Sequence, residues 1–248
     1  DINNIDLNSF SAMFYESTLQ IDDESKLHKF QKQIFDKFKP QKLNRFFLSA
    51  STSFGKTHLV FDIIKKMEYQ NVVLIFPTIA LLSENMEKLI SDNNYAYFRE
   101  NYKIHTLSEV DEVAEKNIFI YTPERFLSYY EKNENLVSFD FTFVDEIYKI
   151  DNEYIIDEET KENERDIAYR LAVFYCLDNE VDVLLAGPYI EFSESTHESF
   201  NNSFDTFLLN NSIELINYNN YEIVNKSYSN VKTKKKVEVD DDLELIYD

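Results

Sequence analysis

Residues 45–57, RFFLSASTSFGKT, decide the fold. The run 45–50 is apolar and short, and reads as a buried strand. Small hydroxyl residues follow, then Gly55, Lys56 and Thr57, and residues 58–67 carry apolar side chains at helical spacing. A strand, this turn and a helix form the setting of a phosphate-binding loop, whose pattern is G-x-x-x-x-G-K-[ST]; Ala50 replaces the first glycine. Each residue type answers a chemical need. Gly55 lets backbone N–H groups close around phosphates, Lys56 reaches the terminal phosphates, and Thr57 offers a hydroxyl to magnesium. The helix N-terminus adds positive potential. Ser51, Thr52, Ser53 and Phe54 complete the candidate loop, and His58 lies either near a bound nucleotide or on the helix surface.

The same alternation extends in both directions. Residues 26–38 place Leu27, Phe30, Ile34, Phe35 and Phe38 at helical spacing, and Pro40 ends that helix. Strand-like runs stand at 71–76, 102–107, 117–121, 140–144 and 181–186. Helical patterns stand at 79–90, 124–131 and 165–177, and the acidic stretch 151–164 reads as an exposed loop. Continuous apolar strands alternating with helices predict an α/β fold, a mostly parallel sheet with helices on both faces. Crossovers are expected to be right-handed, and ligands to bind at the carboxyl ends of the strands. Residues 1–25 read as a lead-in segment and 26–197 as a nucleotide-binding domain. Residues 198–248, with Lys232, Lys234, Lys235 and Lys236 before an aspartate run, read as a peripheral segment or linker.

Composition limits the function classes. The 248 residues hold 25 basic and 46 acidic side chains, a net charge of −21, so coating a polyanion is not the expected mode; a local basic strip or backbone contacts can still hold a strand. No apolar run suits a membrane span, and the opening residues lack the basic-then-apolar order of a signal peptide. Cys176 is the one cysteine, so a reducing, cytoplasmic setting is expected. There are two glycines, Gly55 and Gly187, each in a segment with a candidate role.

A phosphate loop needs a carboxylate at the end of a nearby strand. Phe143-Val144-Asp145-Glu146 supplies two, after the run 140–144. Asp145 is the candidate magnesium partner and Glu146 the candidate to place and deprotonate a water.

These residues together resemble the first RecA-like domain of a superfamily 2 helicase of the DEAD/DEAH-box type, a P-loop NTPase. ASTSFGKT is similar to the family form A-x-T-G-x-G-K-T, with Ser53 where glycine is common, and VDEIY resembles D-E-x-x, with Tyr148 where Asp or His is usual. The resemblance implies ATP and magnesium as cofactors, and Lys56, Asp145 and Glu146 as the catalytic set. Gln31, in FQKQIF upstream of the loop, resembles the glutamine that reads adenine; a solvent-facing helix position is the alternative. Pro77-Thr78-Ile79-Ala80-Leu81 and Thr122-Pro123-Glu124-Arg125 resemble the P-T-x-x-L and T-P-E/G-R segments that touch a nucleic-acid backbone. That makes Pro77, Thr78, Thr122, Pro123 and Arg125 candidate contacts to DNA or RNA.

Leu184-Leu185-Ala186-Gly187-Pro188 stands where the family carries S-A-T. With DEIYK, it is similar to bacterial helicases of phage-defence systems such as the large Hachiman subunit. The family's second RecA-like domain brings an arginine finger, and none of Arg45, Arg99, Arg125, Arg165 and Arg170 lies in such a motif. The chain is therefore expected to be the N-terminal part of a longer ATP-dependent helicase or translocase. The rival expectation is a nucleotide-dependent switch with little hydrolysis of its own. Other P-loop classes, such as AAA+ or transporter ATPases, fit Gln31, the adjacent acids and TPER less well.

Overall fold

Side chains of a strand alternate between its two sides, so a strand covered on both faces must be apolar throughout. The opening run does this: Phe46, Leu48 and Ala50 enter one core and Phe47 the other. In this computed structural model, residues 17, 19–21, 26–51, 54–133, 136–147, 164–177, 181–187 and 206–218 are described. The elements in chain order are α1 (Lys29–Lys37), β1 (Arg45–Ser49), α2 (Lys56–Met67), β2 (Asn71–Ile75) and α3 (Ile79–Ser91). A 3-10 turn (Asn93–Tyr95), α4 (Ala96–Asn101), β3 (Lys103–His105), β4 (Asn117–Tyr121) and α5 (Pro123–Lys132) follow. Then come β5 (Phe141–Val144), α6 (Glu164–Leu177), β6 (Asp182–Gly187) and β7 (Glu214–Asn217).

The strands form one seven-stranded sheet in the order β3-β4-β2-β5-β6-β1-β7. Every pairing is parallel. On one face Ile34 of α1, Ile63 of α2, Leu89 of α3 and Phe98 of α4 pack on Leu74, Ile120, Phe143 and Leu184. On the other, Phe126 and Tyr129 of α5 and Val173 and Cys176 of α6 pack on Phe47, Ile75, Phe119 and Leu185. This is the α/β, RecA-like architecture expected from the sequence. At the amino ends, the Asp182 carboxylate accepts from Asn44 N and Nδ2 and from the Tyr69 hydroxyl, tying the start of β6 to the residues that lead into β1 and β2. Among the described residues, no helix is long and apolar enough to cross a membrane.

Four local differences from the expectation have physical causes. Helix α1 starts at Lys29 because His28 caps it: His28 Nδ1 accepts from Gln31 N (3.3 Å), and Gln31 Oε1 accepts from His28 N (3.2 Å). Strand β3 stops at His105 because the next three carbonyls are taken by side chains. Thr106 O accepts from Arg125 Nη1 (2.9 Å), Leu107 O from Tyr121 OH (2.9 Å) and Ser108 O from Asn133 Nδ2 (2.6 Å). The turn and helix at residues 93–101 exist because Tyr95 and Phe98 close an aromatic cluster on Phe61, with ring centroids 4.9 Å from it. Finally, β7 extends the sheet beyond β1, although only one of its four residues, Ile216, is buried. Of the remaining expectations, residues 1–16, 151–163 and 219–248, with Thr52, Ser53 and Tyr148, lie outside the described residues.

Candidate nucleotide site and nucleic-acid cleft

The candidate phosphate loop leaves the sheet at Ser49 and enters α2 at Lys56. Phe54 N donates to Ser51 O (3.1 Å), a tight turn, and Ala50 N donates to Gly187 O (3.2 Å). Gly55 has φ +76°, a conformation that L side chains rarely adopt, and a Cβ there would stand 2.8 Å from Gln31 Nε2. Both facts make glycine necessary at the start of α2. Lys56 Nζ donates to Ala50 O (3.1 Å) and Ser51 O (3.2 Å), so the ammonium folds back over its own loop. Burial pushes the Lys56 pKa down, while the carboxylates of Asp145 and Glu146 push it up. The lysine therefore lies in the field of both acids.

Those acids leave the sheet at the end of β5. Strand β6 lies between β5 and β1, so Asp145, Gly187 and Ala50 end three adjacent strands. Asp145 N donates to Ile75 O (3.0 Å), and Tyr169 OH of α6 donates to Asp145 O (2.5 Å). Glu146 N donates to Asp145 Oδ1 (3.0 Å). Glu146 itself has φ 60°, an unusual conformation for a side-chain-bearing residue, and costs about 1–2 kcal/mol. Such strain turns the chain sharply straight after Asp145 and is common where function dictates backbone shape. Gly187 admits this segment closely: a Cβ there would meet the Phe47 ring at 3.2 Å and Ile147 Cγ2 at 3.4 Å.

A hydroxyl and a carboxylate, oxygen donors of the kind magnesium takes, stand at this end of the sheet. Thr57 lies in the first turn of α2, after β1, and Asp145 at the end of β5, one strand removed in the sheet. Among the described residues there is no group of three His, Cys, Asp or Glu side chains suited to a metal ion. Phosphate oxygens would have to supply the remaining ligands.

Gln31 is buried, 7% exposed, which removes the solvent-facing alternative. Its Nε2 donates to Phe54 O (2.9 Å), so its amide braces the candidate loop from α1. His28 joins it, with Nε2 3.3 Å from Phe54 O. His58 instead turns along α2: Nε2 lies 3.6 Å from Asp62 Oδ2, and its ring meets Tyr95 edge-on at 6.2 Å.

The two segments predicted to touch nucleic acid converge. Strands β2 and β4 are neighbours, so the turns after them open side by side. They enclose a cleft of about 670 Å³ lined by Pro77, Thr78, Thr122 and Arg125, together with Ile79, Ser108, Glu124 and Ser128. Thr78 Oγ1 caps α3 by accepting from Leu81 N (3.3 Å), and Thr122 Oγ1 caps α5 by accepting from Arg125 N (3.4 Å). Two helix N-termini, where anions are favoured, thus face one cleft. Pro123 differs from the expectation: it is buried at the first position of α5 and fixes the helix start without lining the cleft. Ser108 and Ser128 were not predicted. Ser108 gave no local signal beyond following a strand, and Ser128 reads as an ordinary helix residue.

A family model for DEAD/DEAH box helicases matches residues 28–163, which contain the loop, both cleft segments and the acid pair. The chain belongs to the DEAD/DEAH box helicase family. The chain is also similar to Anti-bacteriophage protein B of Escherichia coli (strain K12), 27% identical over 165 residues, 66% of this chain and 21% of that protein. The chain thus spans about a fifth of that relative's length. Among solved structures, it is similar to the DUF1998 helicase MrfA bound to DNA, at 16% identity over 82% of this chain and 29% of that one, TM-score 0.45. It is also similar to a nuclease-deletion mutant of the Type ISP restriction-modification enzyme LlaGI in complex with a DNA substrate mimic. That match has 14% identity over 66% of this chain and 15% of that one, TM-score 0.43.

Proposed function

We propose that this helicase-family domain binds ATP with magnesium at the loop 50–57 and, completed by a second RecA-like domain, hydrolyses it while holding DNA or RNA in the cleft between α3 and α5. The observation that carries the reading is the position of Lys56, bonded to its loop carbonyls and set in the field of Asp145 and Glu146. A terminal phosphate would replace the two carbonyls as partner of the ammonium. The backbone N–H groups of Ser53 to Thr57 and the α2 N-terminus would share the negative charge. Thr57 and Asp145 would hold the magnesium, which supplies charge neutralisation on the phosphates. Glu146 would orient a water for in-line attack and accept its proton. Thr78, Thr122 and Arg125 would hold backbone phosphates, contacts that position a strand without reading its sequence.

An arginine from the second domain would complete the charge stabilisation, so slow turnover is expected of this chain alone. The likeness to Anti-bacteriophage protein B supports a part in defence against phage, and the single cysteine, Cys176, supports a reducing, cytoplasmic setting. The test is ATP turnover by the full-length protein with and without single-stranded nucleic acid. Glu146→Gln should retain ATP binding and lower turnover by about 10²-fold or more. Unchanged turnover in that variant, or none stimulated by nucleic acid in the wild type, would refute the reading.

A further inference from the structure

None of the roles above uses the aromatic contact that joins the phosphate loop to the end of β7. Phe54 occupies a variable position of the loop pattern, yet its side chain is 1% exposed. Its ring lies parallel to that of Tyr218, centroids 5.9 Å apart at 10°. The edge of His28 closes on Phe54 at 4.8 Å, and Phe30 closes on Tyr218 at 4.8 Å. Tyr218 is held at two further points: its hydroxyl donates to Gln33 Oε1 (2.8 Å) and its N–H to Ser49 O (2.9 Å), the last residue of β1. Helix α1, the loop and the backbone leaving β7 therefore share one aromatic block.

We propose that Tyr218 is a positioning residue for the phosphate loop: its stack on Phe54 sets the loop's shape, and nucleotide binding is felt in turn at residue 218. The proposal rests on the reading of loop 50–57 as the nucleotide site. Phe54 immediately precedes Gly55 and Lys56, so its ring acts as a lever on the N–H groups offered to phosphate. Its carbonyl accepts from Gln31 Nε2 (2.9 Å) and its N–H donates to Ser51 O (3.1 Å), so the ring adds a third hold on the residue, from its side chain. Tyr218 grips that ring from β7, an edge strand paired only with β1 among the described residues. The coupling is reciprocal: a change at residue 218 that alters ATP affinity by some factor is itself favoured or disfavoured by bound ATP by that same factor.

The 248-residue chain has no tryptophan, so Tyr218→Trp would place a lone tryptophan, selectively excited at the red edge of tyrosine absorption, in the block. Tyr218→Ala and Tyr218→Phe separate the ring from the hydroxyl. ATP affinity with magnesium would be measured by calorimetry at a temperature where each variant is folded. An aromatic pair of this kind predicts ATP binding weaker by about three- to tenfold in Tyr218→Ala, and within about twofold of wild type in Tyr218→Phe. A role in folding alone would lower the melting temperature of Tyr218→Ala and leave the affinity of the folded protein unchanged. Tryptophan emission of Tyr218→Trp should change with ATP and saturate at the calorimetric midpoint. Wild-type affinity in Tyr218→Ala, or emission that ignores bound ATP, overturns the proposal and leaves the nucleotide site standing. Absence of ATP binding by the wild type overturns the nucleotide reading, and the proposal with it.

Discussion

Replacing Gly55 by alanine should destabilise the fold by about 2–3 kcal/mol through two separable causes. The backbone at Gly55 has φ +76°, and placing alanine in the left-handed region costs about 1–2 kcal/mol. The new Cβ would also stand 2.8 Å from Gln31 Nε2, so that amide must move. Moving it breaks the bond from Gln31 Nε2 to Phe54 O, worth about 1 kcal/mol in a buried setting. Urea unfolding at neutral pH measures the total as a shift in midpoint at unchanged slope. The same substitution in a Gln31→Ala background separates the parts. There the steric partner is absent, so Gly55→Ala should cost only the backbone part, and the double-mutant cycle should close with a coupling of about 1 kcal/mol. An equal cost in both backgrounds would refute the contact between Gln31 and the loop. A neutral Gly55→Ala would refute the loop conformation itself.

Gly187→Ala should cost about 1–3 kcal/mol, because the added carbon presses on Phe47 and Ile147 in a filled core; urea midpoints unchanged within error would contradict that packing. Burial holds His105 below the ordinary histidine pKa, with a bond to Asn117 opposing and Lys103 adding to the shift. Its proton therefore favours the unfolded chain, whose histidine titrates near about 6.5. Stability from this group is present above that pH and lost as pH falls through the folded value. The melting temperature should drop more from pH 7 to pH 5 in wild type than in His105→Gln, and equal drops would count against it. In the cleft, Arg125→Ala should weaken binding of a labelled single-stranded oligonucleotide about tenfold by fluorescence anisotropy, because a charged donor to phosphate is lost. Unaltered binding would move the nucleic-acid path elsewhere.

The sequence made β1, β2, β4, β5 and β6 readable because each is buried on both faces and so continuously apolar. Strand β7 hid because it is an edge: only Ile216 of its four residues is buried, and Asn and Glu surround it. Strand β3 looked longer than it is because Thr106, Leu107 and Ser108 carry apolar or neutral side chains while their carbonyls bond to Arg125, Tyr121 and Asn133. Such long-range side-chain capture leaves no periodic trace. At the candidate site, the loop and the acid pair were legible as motifs, because chemistry restricts residue type at fixed spacing. How Gln31 and Tyr218 meet Phe54 was not legible, since those contacts span 23 residues in one case and 164 (218 − 54) in the other. His58 follows the motif in sequence, yet helical geometry turns it towards Asp62, four residues on.

The measurement that bears most directly on the central claim is ATP binding by this chain, by calorimetry with magnesium, for wild type and Lys56→Ala. An ammonium bonded to terminal phosphate predicts saturable binding by the wild type and a loss of about ten- to a hundredfold in the variant. Equal affinity in the two proteins, or no binding by either, would contradict the assignment of loop 50–57 as the nucleotide site.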